Sequence, residues 1–201
     1  MRRLVLLGLC VMLVATACAT PGSAPGIPGS PPGTPEGSTP GTTSPTAPGG
    51  TRDADIYTAV LRRYLTHPSE NSFPGFTFPT VYVLSRTDPQ AADPIEPPGS
   101  SPGDAIPVGD QERIVAALRD VGNIQFIADP SEVIVNSESC AQVRDGGILI
   151  VLAPPKGDAD RVEVGTHGFV ACLGATWLTY VVEREMSGWI VTGTTGPMAV
   201  A

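Results

Sequence analysis

From residue 53 onward the apolar positions follow two different periods. Ile56, Ala59, Val60 and Tyr64 recur at helical spacing, and Tyr57, Leu61 and Leu65 widen the stripe, so one face of a helix is predicted to meet a core. Asp53 stands where an N-cap belongs and Pro68 ends the helix. A second helix is predicted behind Asp110 as its cap, with Ile114, Val115, Ala117, Leu118 and Val121 inward and Gly122 as its stop.

The other apolar segments read as strands: 81–85, 124–127, 133–135, 148–152, 162–172, 177–185, 189–192 and 198–200. The two longest are joined through Leu173-Gly174-Ala175-Thr176, and Met186-Ser187-Gly188 makes the next turn, giving a C-terminal meander of hairpins. The expected fold is therefore α+β, two helices packed on a curved antiparallel sheet with a C-terminal β-meander. This order of elements, ending in Trp189-Ile190-Val191, resembles small extracytoplasmic domains of bacterial lipoproteins and the helix-on-sheet domains of the nuclear-transport-factor-like class. The resemblance covers residues 54–200 and implies a fold without attaching any functional residue.

Two segments follow neither period. Phe73-Pro74-Gly75-Phe76-Thr77-Phe78-Pro79 is a Pro-bounded loop holding three of the five Phe residues; the rings either contact a partner or cover the end of the sheet. Residues 86–109 carry six prolines and the carboxylates Asp88, Asp93, Glu96 and Asp104. Their spacing is irregular for a calcium loop, so a solvated, open segment is expected there and no metal is assigned.

The N-terminus changes the picture from a domain to an exported domain. Arg2 and Arg3 precede an apolar run from Leu4 to Ala15, too short to span a bilayer and suited to a secretory signal. Leu13-Val14-Ala15-Thr16-Ala17-Cys18 resembles the lipobox of bacterial lipoproteins, which implies cleavage after residue 17 and diacylglyceryl and acyl (palmitate-type) chains on Cys18. Ala15 replaces the larger aliphatic residue more usual there, and ordinary signal cleavage after Ala17 is the alternative. Two or more acyl chains, at about 0.8 kcal/mol per buried CH₂, hold a protein to a membrane without spanning it. From Ala19 to Gly50, 27 of 32 residues are Pro, Gly, Ser or Thr, so the segment cannot bury enough apolar surface to fold and reads as a disordered tether. Between its coil and polyproline limits it reaches on the order of 30 to 100 Å. The expected organisation is a signal peptide over 1–17, lipidated Cys18 and tether over 18–50, and one domain over 51–201. The single lysine and the abundance of Ala, Gly, Pro and Val resemble proteins of high-GC Gram-positive bacteria.

Charge and chemistry narrow the function. The net charge of −8 disfavours nucleic acid, and losing Arg2 and Arg3 leaves 10 basic against 20 acidic residues, so the lipid and not electrostatic attraction must hold the membrane. Of four cysteines, Cys10 lies in the signal and Cys18 at the anchor; the remaining pair, Cys140 and Cys172, reads in an exported domain as a disulfide. Only two histidines are present. His67 sits at a helix end, where a cation suits the dipole. His167 lies in a strand on the face of Glu163, so Glu163/His167 is the one acid–base pair available to an envelope enzyme, against the plainer reading of a strand pair on a solvated face. No nucleophile, phosphate-loop or metal motif occurs in the chain. The expectation is a lipid-anchored, non-catalytic binding or accessory module on the outer face of the cytoplasmic membrane, with no cofactor. Its partners would be the lipid and an envelope protein or small molecule. The alternatives are the Glu163/His167 enzyme and a purely structural envelope protein.

Overall fold

The computed structural model describes residues 50–137 and 140–201; the signal peptide, Cys18 and the tether lie outside the described residues. The helix α1 (Gly50–Thr66) buries Ile56, Tyr57, Val60, Leu61 and Tyr64, the stripe its spacing predicts, but it begins before Asp53, which lies inside its first turn and does not cap it. A short helix α2 (Pro68–Asn71) follows, with Pro68 in its first turn, where a missing N–H costs nothing. Then come β1 (Val81–Leu84), α3 (Val108–Ala117), β2 (Ile124–Ile127), β3 (Ile134–Ser137), β4 (Cys140–Val143), β5 (Ile148–Leu152) and the two-residue β6 (Lys156–Gly157). Three long strands complete the chain: β7 (Arg161–Ala171), β8 (Gly174–Glu185) and β9 (Gly188–Val200). The strands form one mostly antiparallel sheet, and the class is α+β as expected.

Its backbone runs β2-β1-β5-β7-β8-β9. The first three strands are parallel to one another, and β5 then meets β7 antiparallel. Parallel strands need both faces covered, and all four residues of β1 and all five of β5 are buried. The meander turns at Cys172-Leu173 and Met186-Ser187, two residues each, so Gly174, Ala175 and Thr176, expected in the first connection, already belong to β8. The hairpin β3–β4 meets β7 through the single register pair Gln142↔Ala171.

One face of the sheet packs under α1 and α3, where Ile148, Ile150, Leu152, Val164, Leu178 and Val182 meet the α1 stripe, Ile114 and Leu118. Gly168 lies directly beneath Tyr64, and a Cβ there would overlap the phenol oxygen. The opposite face carries a smaller core of Tyr82, Leu84, Leu149, Val151, Val133 and Val143.

The second helix departs from expectation. It begins at Val108, so Asp110 lies inside its first turn, buried and paired with Arg113 at 3.4 Å, and does not cap it. Ile114 and Leu118 are buried, whereas Val115 and Ala117 face solvent. The stripe is narrower than predicted because α3 sits toward the β2 edge and meets the core along one line of i, i+4 contacts.

The 86–107 segment is the larger correction. It is packed, and the open, solvated loop expected there is replaced by a folded cover for the second face. Asp88 is 1% exposed; its carboxylate accepts the N–H groups of Gln90 (2.8 Å) and Ser101 (3.2 Å), while its own N–H donates to the Leu152 carbonyl at 2.9 Å. Thr87, Gly103, Asp104 and Ile106 add backbone bonds across the base of the loop. Ala91 is buried in the second core, and Ala92 lies against Gly165 of β7. Asp93, Glu96 and Asp104 do not converge with Asp88, and among the described residues no group of three or more His, Cys, Asp or Glu side chains could hold a metal ion. None of the described helices is long and apolar enough to cross a membrane.

Candidate functional site: the outer face of the first helix

The aromatic loop is held from below by a residue the sequence pattern leaves unmarked. Asn71, 3% exposed, donates from its amide to the Tyr64 carbonyl (2.7 Å) and accepts the Phe73 N–H on its oxygen (2.9 Å), so the loop is fastened to the end of α1. Ser72, at φ 60°, supplies the left-handed turn between them. The three rings divide their roles. Phe78 is buried, Phe73 packs edge-on against it with centroids 5.5 Å apart, and Phe76 leans on Phe78 at 5.3 Å while staying 60% exposed. Two rings are root and one is displayed, so both readings of this loop hold for different residues.

Phe76 overhangs a groove of about 250 Å³ whose other walls are Leu65, Val81, Val121 and the ion pair of Arg62 with Asp120. Arg62 grips Asp120 with both terminal nitrogens (2.7 and 3.0 Å) and donates to the Ala117 carbonyl at 2.6 Å, which clamps α1 to the end of α3. The hydrogen bond lowers the Asp120 pKa and raises that of Arg62, so both stay charged across the working pH range.

On its other side Arg62 borders a second hollow of about 250 Å³ between α1 and β9, floored by Trp189, Ile190 and Val191 and edged by Thr66 and His67. A third, about 430 Å³, continues toward Asp55, Arg113 and Gly188. Arg62 lines all three hollows, and Trp189 lines the last two. Arg52 lies over the Trp189 ring at 5.1 Å. Beneath the second hollow Arg63 and Glu70 form a bidentate pair, with bonds of 2.9 and 3.0 Å from Arg63 Nε and a closer contact from its Nη2. Burial alone would raise the Glu70 pKa, but the bonds from Arg63 outweigh it and the pKa falls. The neighbouring Tyr180 phenol is pushed up, first by burial and then by the Glu70 charge. Neither Glu70 nor Tyr180 belongs to a motif; the i, i+7 spacing of Arg63 and Glu70 across a helix break carries no recognisable signal.

The Glu163/His167 pair is not assembled. The two residues share a face of β7 but stand four positions apart, about 13 Å along a strand. Glu163 is exposed and registers with Lys156, while His167 is 2% exposed and stacks on Trp177 with ring centroids 4.6 Å apart. Burial pulls the His167 pKa down to about 4, and its Nε2 has no hydrogen-bond partner. The solvated face expected around it is instead a closed one. His67 sits at the junction of α1 and α2, its Nδ1 3.1 Å from the Thr66 hydroxyl, beside the hollow but far from any second histidine in sequence.

Cys140 and Cys172 are joined, with Cα atoms 5.4 Å apart. The bond ties the start of β4 to the turn between β7 and β8. It thereby fastens the hairpin that the sheet holds through only one register pair.

The chain matches no protein family model, no curated protein and no solved structure.

Proposed function

We propose that this chain is an exported lipoprotein whose domain binds an envelope protein through the outer face of α1, without catalysis. The observation that supports the reading best is the convergence on Arg62 of three shallow hollows rimmed by Phe76 and Trp189. Open hollows around rigid aromatic and arginine side chains suit a protein surface better than a small molecule, which is usually enclosed over most of its area. In this reading Phe76 and Trp189 are the anchors, the Arg62–Asp120 pair fixes register, and Phe73 and Phe78 hold Phe76 in place. The domain is carried on the outer face of the cytoplasmic membrane by acyl chains on Cys18, with the 19–50 segment as its reach. The disulfide accords with that oxidising location.

Photo-crosslinkers placed at Phe76 and Arg62 of the full lipidated chain, in its native envelope, should capture one common partner. Crosslinkers at Glu132 and Asp145, remote in sequence from this face, should not. Equal capture from both sets, or none from the first, would overturn the proposal. The anchor is tested separately: Cys18→Ala should abolish fatty-acid incorporation and release the chain from the membrane.

A further inference from the structure

The path β2-β1-β5-β7-β8-β9 ends in two edges of different kinds, and the branch through β4 adds a short third edge at β3. Strand β2 exposes an edge of four residues beside α3. Strand β9 has thirteen residues and pairs with β8 alone, so among the described residues its outer row of backbone N–H and C=O groups has no strand beside it. None of its residues is fully buried, and no charged residue occurs from Gly188 to Ala201. Edge strands are ordinarily guarded by charge, bulges or proline. In β9 a one-residue bulge falls at Thr192, and Gly196-Pro197 breaks the far end, but the stretch from Gly188 to Thr195 carries no charge at all.

We propose that this edge pairs antiparallel with the same strand of a second copy, about a two-fold axis beside Thr192. The proposal goes beyond partner binding at α1 and does not depend on it, because it uses the backbone edge of β9 and not the helix face. Charge favours the site. Two copies of a chain with net charge −8 repel over most of their surfaces, and β9 is where close approach sets no like charges opposite one another.

Register favours it as well. Running Gly188–Thr195 against its copy sets Trp189 beside Thr194 and Ile190 beside Gly193. Trp189 and Thr194 are partners of Arg184 and Tyr180 in β8, so both lie on the helix side; Ile190 and Gly193 are partners of Glu183 and Val181, on the other side. Like faces therefore meet at these pairs, and the bulge at Thr192 takes up the mismatch at the central Val191–Thr192 pair. A Cβ at Gly193 would touch nothing within 4 Å, which leaves room for the incoming Ile190. The pairing is also closed. A contact of β9 with β2 of the next molecule would run head to tail and propagate, whereas the two-fold contact uses up both long edges.

The full lipidated chain in nonionic detergent, examined by sedimentation equilibrium across micromolar concentrations, should have twice the protein mass of one chain. Thr192 and Thr194 are both exposed. The double variant Thr192→Lys, Thr194→Lys should therefore stay folded by circular dichroism and sediment as single chains, as should Thr192→Glu, Thr194→Glu. Mixing the two should restore a one-to-one pair. Isotope-filtered NMR on a mixed sample of the unsubstituted chain should show interchain contacts confined to Gly188–Thr195, a readout that does not rely on the variants folding. A chain that is single at every concentration, a dimer indifferent to the Lys variant, or interchain contacts elsewhere would each overturn the proposal. Loss of dimerisation with partner capture at Phe76 intact would leave the α1 reading standing.

Discussion

The two faces of the sheet are covered by different materials, and β7 shows both at once. Toward the helices Gly168 makes room for Tyr64, whose hydroxyl bonds the Thr176 hydroxyl at 2.5 Å. Away from them His167 and Trp177 stack with His167 Nε2 and Trp177 Nε1 unpartnered. A helix satisfies its own backbone and so covers a sheet with its side chains alone. A loop brings unpaired N–H and C=O groups with it and must be tied down. That is why the second face depends on point fastenings: the Asp88 carboxylate beneath the 86–107 loop and the disulfide beside the β3–β4 hairpin.

If that contrast is right, cutting a fastening should cost more than removing one bond under the helices. The largest effect is expected from Cys140→Ser with Cys172→Ser. The bond closes a loop with a sequence separation of 32, so its loss should cost about 3–4 kcal/mol by chain entropy. Hydrogen exchange should place the loosening first in β3 and β4; uniform loss across α1 would contradict the contrast.

The next effect is set by pH. His167 has a folded pKa of about 4 because burial disfavours its charged form, against 6.5 for the free imidazole. Between these values the unfolded chain binds a proton that the folded chain refuses. Stability from this source is complete above pH 6.5, falls as the pH drops toward 4, and levels off below it, a loss of about 3 kcal/mol. Denaturant midpoints of His167→Phe, compared with the unsubstituted chain from pH 7 to pH 4, should lack that component. Identical slopes in both proteins would show that His167 titrates freely.

Asp88→Ala comes third. It removes the acceptor for two N–H groups inside the 86–107 loop, at about 2 kcal/mol, and should make limited proteolysis within the loop faster than in the unsubstituted chain. On the helix side Tyr64→Phe deletes a single neutral bond to Thr176 and should cost only about 1 kcal/mol in urea melts. A Tyr64→Phe loss exceeding that of Asp88→Ala would reverse the order and undo the comparison.

Much of the fold was readable along the chain. The α1 stripe, the core strands and both hairpin turns of the meander are local patterns, carried by side-chain period and turn residues within a dozen positions. Strand β4 leaves no signal in the sequence because Cys140–Val143 is too short and too polar to alternate visibly; its order comes from pairing with β3 and from Cys172. The parallel placement of β2, β1 and β5 was likewise hidden, since period alone does not reveal which strands become neighbours.

For the candidate site the division is sharper. Phe76 is visible as one of three clustered rings, but its display depends on Asn71, and Asn71 has meaning only once Tyr64 and Phe73 are brought beside it. Arg62, Trp189 and Asp120 are unremarkable in the sequence, and only the packing of α1 across α3 and β9 draws them together. Glu163 and His167 illustrate the reverse: a shared strand face and a separation of four positions are local facts, while the burial of His167 against Trp177 is a tertiary one. What the amino-acid sequence determined by itself is what depends on near neighbours and composition: helix and strand periods, turn positions, and the even cysteine pair. The tertiary structure alone decided which Pro-rich segment is covered and which aromatic is shown. A loop's order rests on distant acceptors for its backbone, and those exist only after the sheet has formed.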